Sequence, residues 1–294
     1  MNIRDLQYLV AVHDMNNFSK AAERCYVSQP TLSGQLKKLE TELNAPLIER
    51  STRQVLFTAL GEQIVDMARD VLLTVENIRE TAKATEQPMA GDFHIGLIPT
   101  VGPFLLPMLM PVLSQEFPKA KLYLYELQTD ALLSKLSKGE IDAAILAKVD
   151  SNHSHQEVSL YREPMKLAVR QGDPISKITG PVELTVLNNE SVLMLEDGHC
   201  LRDQALDVCF AAGAHEDVRF QATSMDTLLH MVATGTGMTL VPELASRKPV
   251  SGVSYISFDE PQPSREIVML LRNNTARKND LCTIAACIGD VVAN

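Results

Sequence analysis

Residues 19–39, SKAAERCYVSQPTLSGQLKKL, contain the pattern that decides the fold of the N-terminal part. Residues 17–25 are typical of a short helix with small residues on its inner face. Ser28 is a natural N-cap for a second helix, and Pro30 is tolerated in a first helical turn. Leucines then recur at helical spacing and predict one buried stripe, at Leu32, Leu36, Leu39 and Leu43. The sequence therefore predicts two short helices joined by a tight turn.

The opposite face of the second helix is polar. Gln side chains can bind adenine edges, Ser and Thr can bind bases or phosphates, and Lys and Arg bind phosphates. A short hairpin predicted over residues 50–57 carries Arg50 and Arg53, which would lie against the DNA backbone or minor groove as a wing. A helical packing module whose charges are simply solvated gives the same periodicity, so this pattern alone leaves both readings open.

A third, longer helix is predicted from Thr58, a plausible cap, to about Thr85. Apolar residues alternate spacings of four and three along it, at Ile64, Ala68, Val71, Val75, Ile78 and Ala82. Such a helix would be roughly 40 Å long, which is too long to bury in a small domain. We expect it to pair with a second copy of the chain.

Composition and charge limit the class of protein. The chain has 294 residues, 45% of them hydrophobic, and a net charge of −10, so it can form roughly two domains with real cores. Acidity counts against nucleic acid as a partner, but residues 1–60 hold 7 basic and 6 acidic residues, a net of +1. No apolar segment follows residues 1–5, and the longest apolar run, residues 104–113, is too short for a bilayer and is interrupted by Pro107 and Pro111. We expect a cytoplasmic protein with reduced thiols and no membrane contact.

The composition changes near residues 87–91, QPMAG, which predicts three parts: 1–58, 59–87 and 88–294. In the last part β-type runs alternate with helical ones, as in an α/β domain. The predicted strands cover residues 93–98, 121–127, 141–147, 165–169, 192–195, 218–222, 238–241 and 265–271.

Two of the five cysteines have informative neighbours. Cys200 comes at a predicted helix start, beside His199 and Arg202, where the helix dipole and positive neighbours favour a thiolate. Cys209 lies in an apolar run that predicts burial. If both lie on one helix, about 13.5 Å of rise separates them, whereas a disulfide needs Cα atoms within roughly 7 Å, so oxidation would require unwinding. Two inert, buried cysteines remain the alternative.

The N-terminal residues resemble the winged helix-turn-helix of LysR-type transcriptional regulators. The match covers residues 1–60 and rests on Ala21-Ala22, residues 27–33, Leu36, Leu39-Glu40, Leu43 and residues 47–50. Residues 235–242 are similar to a turn and strand of that family's effector domain. The resemblance implies a winged helix-turn-helix, a long linker helix that pairs two subunits, and a two-lobed α/β effector domain like the periplasmic binding proteins. It also implies a DNA-facing set of Gln29, Pro30, Thr31, Ser33, Gln35, Lys37, Arg50 and Arg53.

Residues 193–205 and 96–103, with residues 4–6 and 28–35, resemble the peroxide-sensing members of this family. This resemblance implies that Cys200 reacts with hydrogen peroxide and that Cys209 resolves the product as a reversible disulfide. It further implies a peroxide pocket, in which the leaving oxygen needs hydrogen-bond donors and a proton source. The implied pocket residues are Thr100, Thr129, His199, Asp203 as the orienting group, and Arg265.

The implied function is a transcriptional activator of the oxidative stress response, not an enzyme, without cofactor or metal. Its implied partners are promoter DNA, hydrogen peroxide, RNA polymerase, a glutaredoxin- or thioredoxin-type reductant, and further copies of the chain, as a dimer of dimers. Two alternatives stay open. One is a LysR-type regulator that binds a small organic anion in the interlobe cleft and has structural cysteines. The other is a thiol peroxidase.

The remaining candidates are interpreted as structural. His153, His155 and Glu157 could form part of a metal site, but a third spatial ligand is not evident, so we predict a solvated loop. Cys25, Cys282 and Cys287 are predicted to pack as small apolar side chains.

Overall fold

The computed structural model describes residues 1–49, 55–84, 88–149, 155–273 and 275–293. The chain divides into two compact units, residues 1–86 and 87–294. Within the described residues, no helix combines the length and apolarity that crossing a membrane requires. The finer division into residues 1–58, 59–87 and 88–294 stays a prediction.

The first unit is a winged helix-turn-helix, as the sequence predicts. Its elements are α1 (Ile3–Met15), α2 (Phe18–Arg24), α3 (Gln29–Leu43), the antiparallel pair β1 (Ile48–Glu49) and β2 (Leu56–Phe57), and α4 (Ala59–Ala84). Side chains of Asn2, Asn17 and Ser28 accept backbone N–H bonds and start the first three helices. Of the predicted stripe, Leu32, Leu36 and Leu39 are buried in the core of this unit, and Leu43 is half-buried at the end of the helix.

Glu40 fixes the base of the wing to α3. Its Oε1 accepts the backbone N–H groups of Leu47 at 2.8 Å and Ile48 at 3.1 Å. On the other side of the wing, α4 approaches so closely that a Cβ at Gly61 would lie 2.0 Å from the Leu47 carbonyl oxygen. Only glycine allows this approach. Arg50 and Arg53, predicted on the wing, lie outside the described residues.

Helix α4 begins where the sequence predicts, since the Thr58 hydroxyl accepts the Gly61 N–H at 2.9 Å. Ala68 of the predicted seam is buried in the unit's own core, whereas Val71 and Ile78 are exposed. Pairing of two α4 helices therefore uses at most the exposed part of the seam and stays a prediction.

The second unit is built on a seven-stranded mixed sheet, as the alternation of strand and helix predicts. The strands run in the order β10-β6-β11-β5-β3-β4, with β9 also paired to β6, while β7 and β8 form a separate parallel pair. Its elements are β3 (Gly91–Leu97), α5 (Gly102–Glu116), β4 (Ala120–Glu126), α6 (Thr129–Ser137), β5 (Ala143–Ala147), β6 (Gln156–Arg170), β7 (Ser191–Leu195), α7 (Cys200–Ala211), β8 (His215–Ala222), α8 (Met225–Thr234), β9 (Thr239–Pro242), α9 (Glu243–Ser246), β10 (Val253–Ser257), β11 (Ser264–Leu271) and α10 (Lys278–Ala293).

This unit has two hydrophobic cores, which confirms the predicted two-lobed fold. The first core gathers side chains from β3, β5, β11, α5, α6 and α10, and the second gathers them from the end of β6 and from β7, α7, α8 and β9. The long strand β6 contributes to both lobes, with β11 antiparallel beside it. The two lobes are therefore joined by the continuous backbone of β6 and its hydrogen bonds to β11.

Two strands of this unit differ from the sequence prediction. The strand predicted over residues 165–169 is only the last third of β6, which begins at Gln156, because its first half is partly exposed and lacks an apolar run. Strand β10 (Val253–Ser257) was not predicted from the sequence. Pro107 and Pro111, which interrupt the apolar run of the sequence, lie inside α5 without ending it. Both prolines are on the exposed side of that helix, where water can bind the carbonyl groups that lose their N–H partners.

Candidate functional site

A tight turn between β7 and α7 places Cys200 at a helix start. Gly198 has φ +91°, and a Cβ there would lie 2.7 Å from the Gln128 Oε1 atom, so both the backbone and the space require glycine. The Gln128 side chain also donates to the Asp197 carbonyl oxygen at 3.4 Å. Because Thr129 follows Gln128 directly, this contact brings the start of α7 against the start of α6.

Cys200 and Cys209 lie on the same helix but in different cores. Cys200 is 8% exposed and belongs to the first core, whereas Cys209 is 1% exposed and belongs to the second. Burial raises the pKa of Cys209 to about 12, so this thiol keeps its proton at neutral pH. Both are free thiols. Helix α7 must therefore lose its present packing on one side before the sulfur atoms can meet.

Arg202 does not support a Cys200 thiolate in the way that the sequence suggests. Its guanidinium binds both carboxylate oxygens of Glu216, at 2.6 and 2.9 Å, and it also contacts Asp197 at 2.8 Å and the Leu195 carbonyl oxygen at 3.0 Å. These contacts compensate its charge, and the hydrogen bonds from Arg202 lower the pKa of Glu216.

Thr100 and Thr129 occupy corresponding places in the first lobe. Strands β3 and β4 are parallel, with Leu97 paired to Glu126, and each threonine follows the carboxyl end of its strand. In open α/β sheets ligands bind beyond these strand ends. Both threonines are buried.

Arg265 is completely buried and belongs to a polar cluster between the lobes. Its Nε donates to Glu163 Oε2 at 2.9 Å, and its Nη1 donates to the Thr100 hydroxyl at 2.9 Å. The second oxygen of Glu163 accepts the N–H of Leu244 in the second lobe at 3.0 Å. Since the Thr100 hydroxyl accepts from Arg265, its own hydrogen is available to a further acceptor.

Two buried oxygen atoms at the start of α6 and in α7 have no hydrogen-bond partner among the described residues. They are Oγ1 of Thr129 and Oε1 of Gln204. Gln204 lies one helical turn after Cys200 and therefore on the same face of α7. Buried polar atoms are normally paired, so each of these two atoms is suited to bind a small polar molecule such as water or peroxide. The sequence analysis missed Gln204, which the i, i+4 spacing from Cys200 could have found.

His199 and Asp203 differ in their fit to the predicted pocket. His199 is the N-cap residue of α7, and its side chain is buried, with Nε2 4.0 Å from Glu196 Oε1. Asp203 is exposed in the first turn, where a carboxylate is stabilised by the helix N-terminus while it stays in water. The expectation that Asp203 orients donors inside the pocket is not supported by this position.

The predicted DNA-facing residues of α3 form an accessible face. Gln29, Pro30, Thr31 and Lys37 are exposed, while Ser33 and Gln35 are half-buried. The hydroxyl of Thr31 lies 2.7 Å from that of Ser28, so it takes part in capping the helix.

The residues considered for a metal site do not come together in the described part of the chain. His155 contacts Ser137 at 3.1 Å and Glu157 pairs with Lys148 at 2.6 Å, while His153 lies outside the described residues. No group of three His, Cys, Asp or Glu residues able to hold a metal occurs among the residues described.

Two family descriptions match nearly the whole chain. Residues 3–62 match the bacterial regulatory helix-turn-helix protein of the lysR family, and residues 86–292 match the LysR substrate binding domain. The chain belongs to the LysR family of bacterial transcriptional regulators. For this LysR-type regulator, the DNA-binding helix and the two-lobed effector domain described above are the family's two parts.

Individual relatives and solved structures are similar to this LysR-type regulator over most of its length. A hydrogen peroxide-inducible genes activator from Dickeya chrysanthemi is 50% identical, over 92% of this chain and 90% of that protein. The structure of full-length OxyR from Pseudomonas aeruginosa, a cysteine-to-aspartate variant, has a TM-score of 0.79 and 35% identity, over 98% of this chain and 94% of that one. The oxidized form of OxyR has a TM-score of 0.63 and 45% identity, over 70% of this chain and 98% of that one.

Proposed function

We propose that this regulator activates transcription in response to hydrogen peroxide, with Cys200 as the peroxide-reactive thiol and Cys209 as the resolving thiol. The observation that supports this proposal most directly is that one helix holds the two thiols in two different cores. A bond between them therefore changes the fold and not only the chemistry of two side chains. The peroxide-inducible activators and OxyR structures among its relatives support the same proposal.

In the first step the Cys200 thiolate attacks one oxygen of hydrogen peroxide. The O–O bond breaks, Cys200 becomes a sulfenic acid, and the second oxygen leaves as hydroxide that takes up a proton. The free hydrogen of the Thr100 hydroxyl and the Thr129 hydroxyl stabilise the leaving oxygen. His199 is the buried group nearest in sequence that can supply the proton.

In the second step the Cys209 thiol attacks the sulfenic sulfur. The S–S bond forms and the sulfenic oxygen leaves as water. About 13.5 Å of helical rise separates the two residues, so α7 unwinds in this step. A glutaredoxin- or thioredoxin-type dithiol reduces the disulfide by exchange and restores the helix.

The output of the switch is a changed contact with promoter DNA. The α3 face supplies Gln29, Pro30, Thr31, Ser33, Gln35 and Lys37, with Arg50 and Arg53 proposed on the wing. The regulator acts in the cytoplasm as a dimer of dimers that contacts RNA polymerase, and no cofactor enters the mechanism.

Two other functions make different demands on the site. An organic anion in the interlobe cleft would need an uncompensated cation, whereas Arg265 is paired with Glu163. A thiol peroxidase would turn over peroxide continuously, and this activity does not need a DNA-binding unit.

Peptide mapping after one equivalent of peroxide tests the proposal, since it predicts a Cys200–Cys209 crosslink within one chain. Cys200→Ser should abolish peroxide-dependent transcription and keep DNA binding. A full peroxide response in that variant contradicts the sensor assignment. Thermal shifts with metabolites and no crosslink would support the organic-anion regulator, and sustained peroxide consumption with thioredoxin would support the peroxidase.

A further inference from the structure

We infer that Arg202 and Glu216 are positioning residues of the disulfide step, which hold α7 wound and thereby oppose closure of the Cys200–Cys209 bond. This inference rests on the proposed roles of the two thiols. It means that an ion pair outside the proposed peroxide pocket controls how fast the Cys200–Cys209 disulfide forms.

We call the ion pair between Arg202 and Glu216 the latch, and its geometry is well defined. Arg202 and Glu216 have side chains only 10% and 13% exposed, and the guanidinium binds both carboxylate oxygens. Two parallel N–H···O bonds fix both distance and orientation. The same guanidinium also holds the end of β7 through the Leu195 carbonyl oxygen and the turn through Asp197. The first turn of α7 is thus fixed to β7, to the turn and to β8.

The position of the latch in the chain matters as much as its strength. Residues 202 and 216 are the two ends of a segment that contains the rest of α7, including Cys209. While the latch is closed, the ends of this segment stay together. An unwound segment whose ends are held together has fewer conformations than one whose ends can move apart. The latch therefore disfavours the unwound state in which Cys209 reaches Cys200.

The latch acts on the second chemical step and not on the first. In the second step a sulfenic acid and a thiol give a disulfide and water, and Arg202 and Glu216 neither gain nor lose a covalent bond. In the first step the Arg202 guanidinium points to Glu216 and does not serve the Cys200 sulfur. Removing the latch should consequently change the closure rate and leave peroxide attack nearly unchanged.

The test uses the full chain and measures the two steps separately. Sulfenic acid formation is followed by dimedone trapping in a Cys209→Ser background, and closure is followed by acid quench and mass spectrometry. With Glu216→Gln we expect trapping within about twofold of the parent rate, and closure about tenfold faster. We also expect the equilibrium between dithiol and disulfide to shift about tenfold toward the disulfide. This shift corresponds to a reduction potential about 30 mV more negative, measured against glutathione. Arg202→Lys keeps the positive charge but not the two parallel hydrogen bonds of the guanidinium. Its closure rate and potential should lie between those of the parent and of Glu216→Gln.

A matched control lies in the same strand. Arg219→Gln breaks the Arg219–Asp217 pair, in which both partners belong to β8 and neither ties β8 to α7 through this contact, so both rates and the potential should stay at the parent values. If Glu216→Gln does not fold, Arg202→Lys carries the test.

Parent-like closure and potential in the latch variants would overturn the inference, as would an equal change in both steps, which indicates general loosening. Failure of the proposed function is seen separately, because the parent protein would then form no crosslink at all.

Discussion

Cys200 and Cys209 lie nine positions apart on α7, yet Cys200 packs into the core of the first lobe and Cys209 into that of the second. The helix is therefore held from two sides by apolar contacts. Its wound state is the state in which both lobes are fully packed, so any bond between the two sulfur atoms is made at the expense of packing.

The raised pKa of Cys209 predicts a pH-dependent stability of the reduced protein. An ordinary thiol loses its proton near about pH 8.5, whereas Cys209 in the fold does so only near a pKa of about 12. Between these values the folded state binds more protons than the unfolded state, so the free energy of unfolding falls as the pH rises. The fall from this group is as much as about 1.4 kcal/mol per pH unit. Urea unfolding of the reduced chain at several alkaline pH values measures it.

Cys209→Ala is the control for this prediction, because it removes the thiol and leaves all other titrating groups in place. The difference between the two proteins should be constant below about pH 8.5 and shrink above it. Parallel stability curves over the whole range would contradict the buried, protonated thiol.

Replacing Thr129 by Val should affect stability and reactivity in opposite directions. A buried hydroxyl without a partner costs about 1–3 kcal/mol, and Thr129 Oγ1 is such a group. We expect Thr129→Val to unfold at equal or higher urea concentration, and its Cys200 to react with peroxide at least about tenfold more slowly, since one donor to the leaving oxygen is lost. Peroxide attack at the parent rate would remove Thr129 from the pocket.

Thr239→Val is the matched control for Thr129→Val. The Thr239 hydroxyl is also buried but donates to the Leu193 carbonyl oxygen at 2.8 Å. This variant should lose about 1–3 kcal/mol of stability and keep its peroxide reactivity.

Gly198→Ala should displace the start of α7. The alanine would adopt φ +91° and place its Cβ 2.7 Å from Gln128 Oε1. Gly172→Ala isolates the backbone term, because Gly172 has φ +92° with nothing within 4 Å of the added Cβ. We expect about 1–2 kcal/mol of destabilisation at Gly172 and more at Gly198, with slower peroxide attack only at Gly198. Equal effects at the two sites would show that Gln128 moves away without consequence.

The helix-turn-helix could be predicted from the sequence because its signals are local. Ser28 marks the start of α3, and Leu32, Leu36 and Leu39 mark its buried face at one fixed spacing. The effector strands followed from short apolar runs for the same reason. Strand β6 exceeded its prediction most, because its first half, from Gln156, is partly exposed and lacks an apolar run. Strand β10 (Val253–Ser257), where polar and apolar residues alternate over only five positions, was not predicted.

The polar cluster around Arg265 could be predicted only in part, because its contacts join residues far apart in the chain. Arg265 binds Thr100, 165 positions away, and pairs with Glu163 across a strand register that no local pattern specifies. The partner of Arg202 is likewise set by the bulged pairing of β7 with β8 and not by any motif. Sequence spacing identifies such side chains as polar, but not whether their charge is free or compensated.

Lys37→Ala should weaken DNA binding without changing sequence preference. Its exposed ammonium on α3 is predicted to contact a phosphate, and each phosphate contact contributes about 0.9 to the slope of log K against log salt. We expect affinity to fall for all sequences and the slope to decrease by about that amount for each α3 helix bound. Lys121→Ala, an exposed lysine of the effector domain, should change neither quantity. A slope equal to that of the parent would place Lys37 away from the phosphates.

Glu40 gives the DNA-binding unit a property that no base contact supplies. Because one carboxylate oxygen holds the N–H groups of both Leu47 and Ile48, the base of the wing cannot turn independently of α3. The spacing between the helix and the entrance to the wing is thus set before any DNA is present. Binding then loses less conformational entropy at this junction than it would with a free hinge. We therefore expect Glu40 to contribute to DNA affinity through preorganisation of the wing.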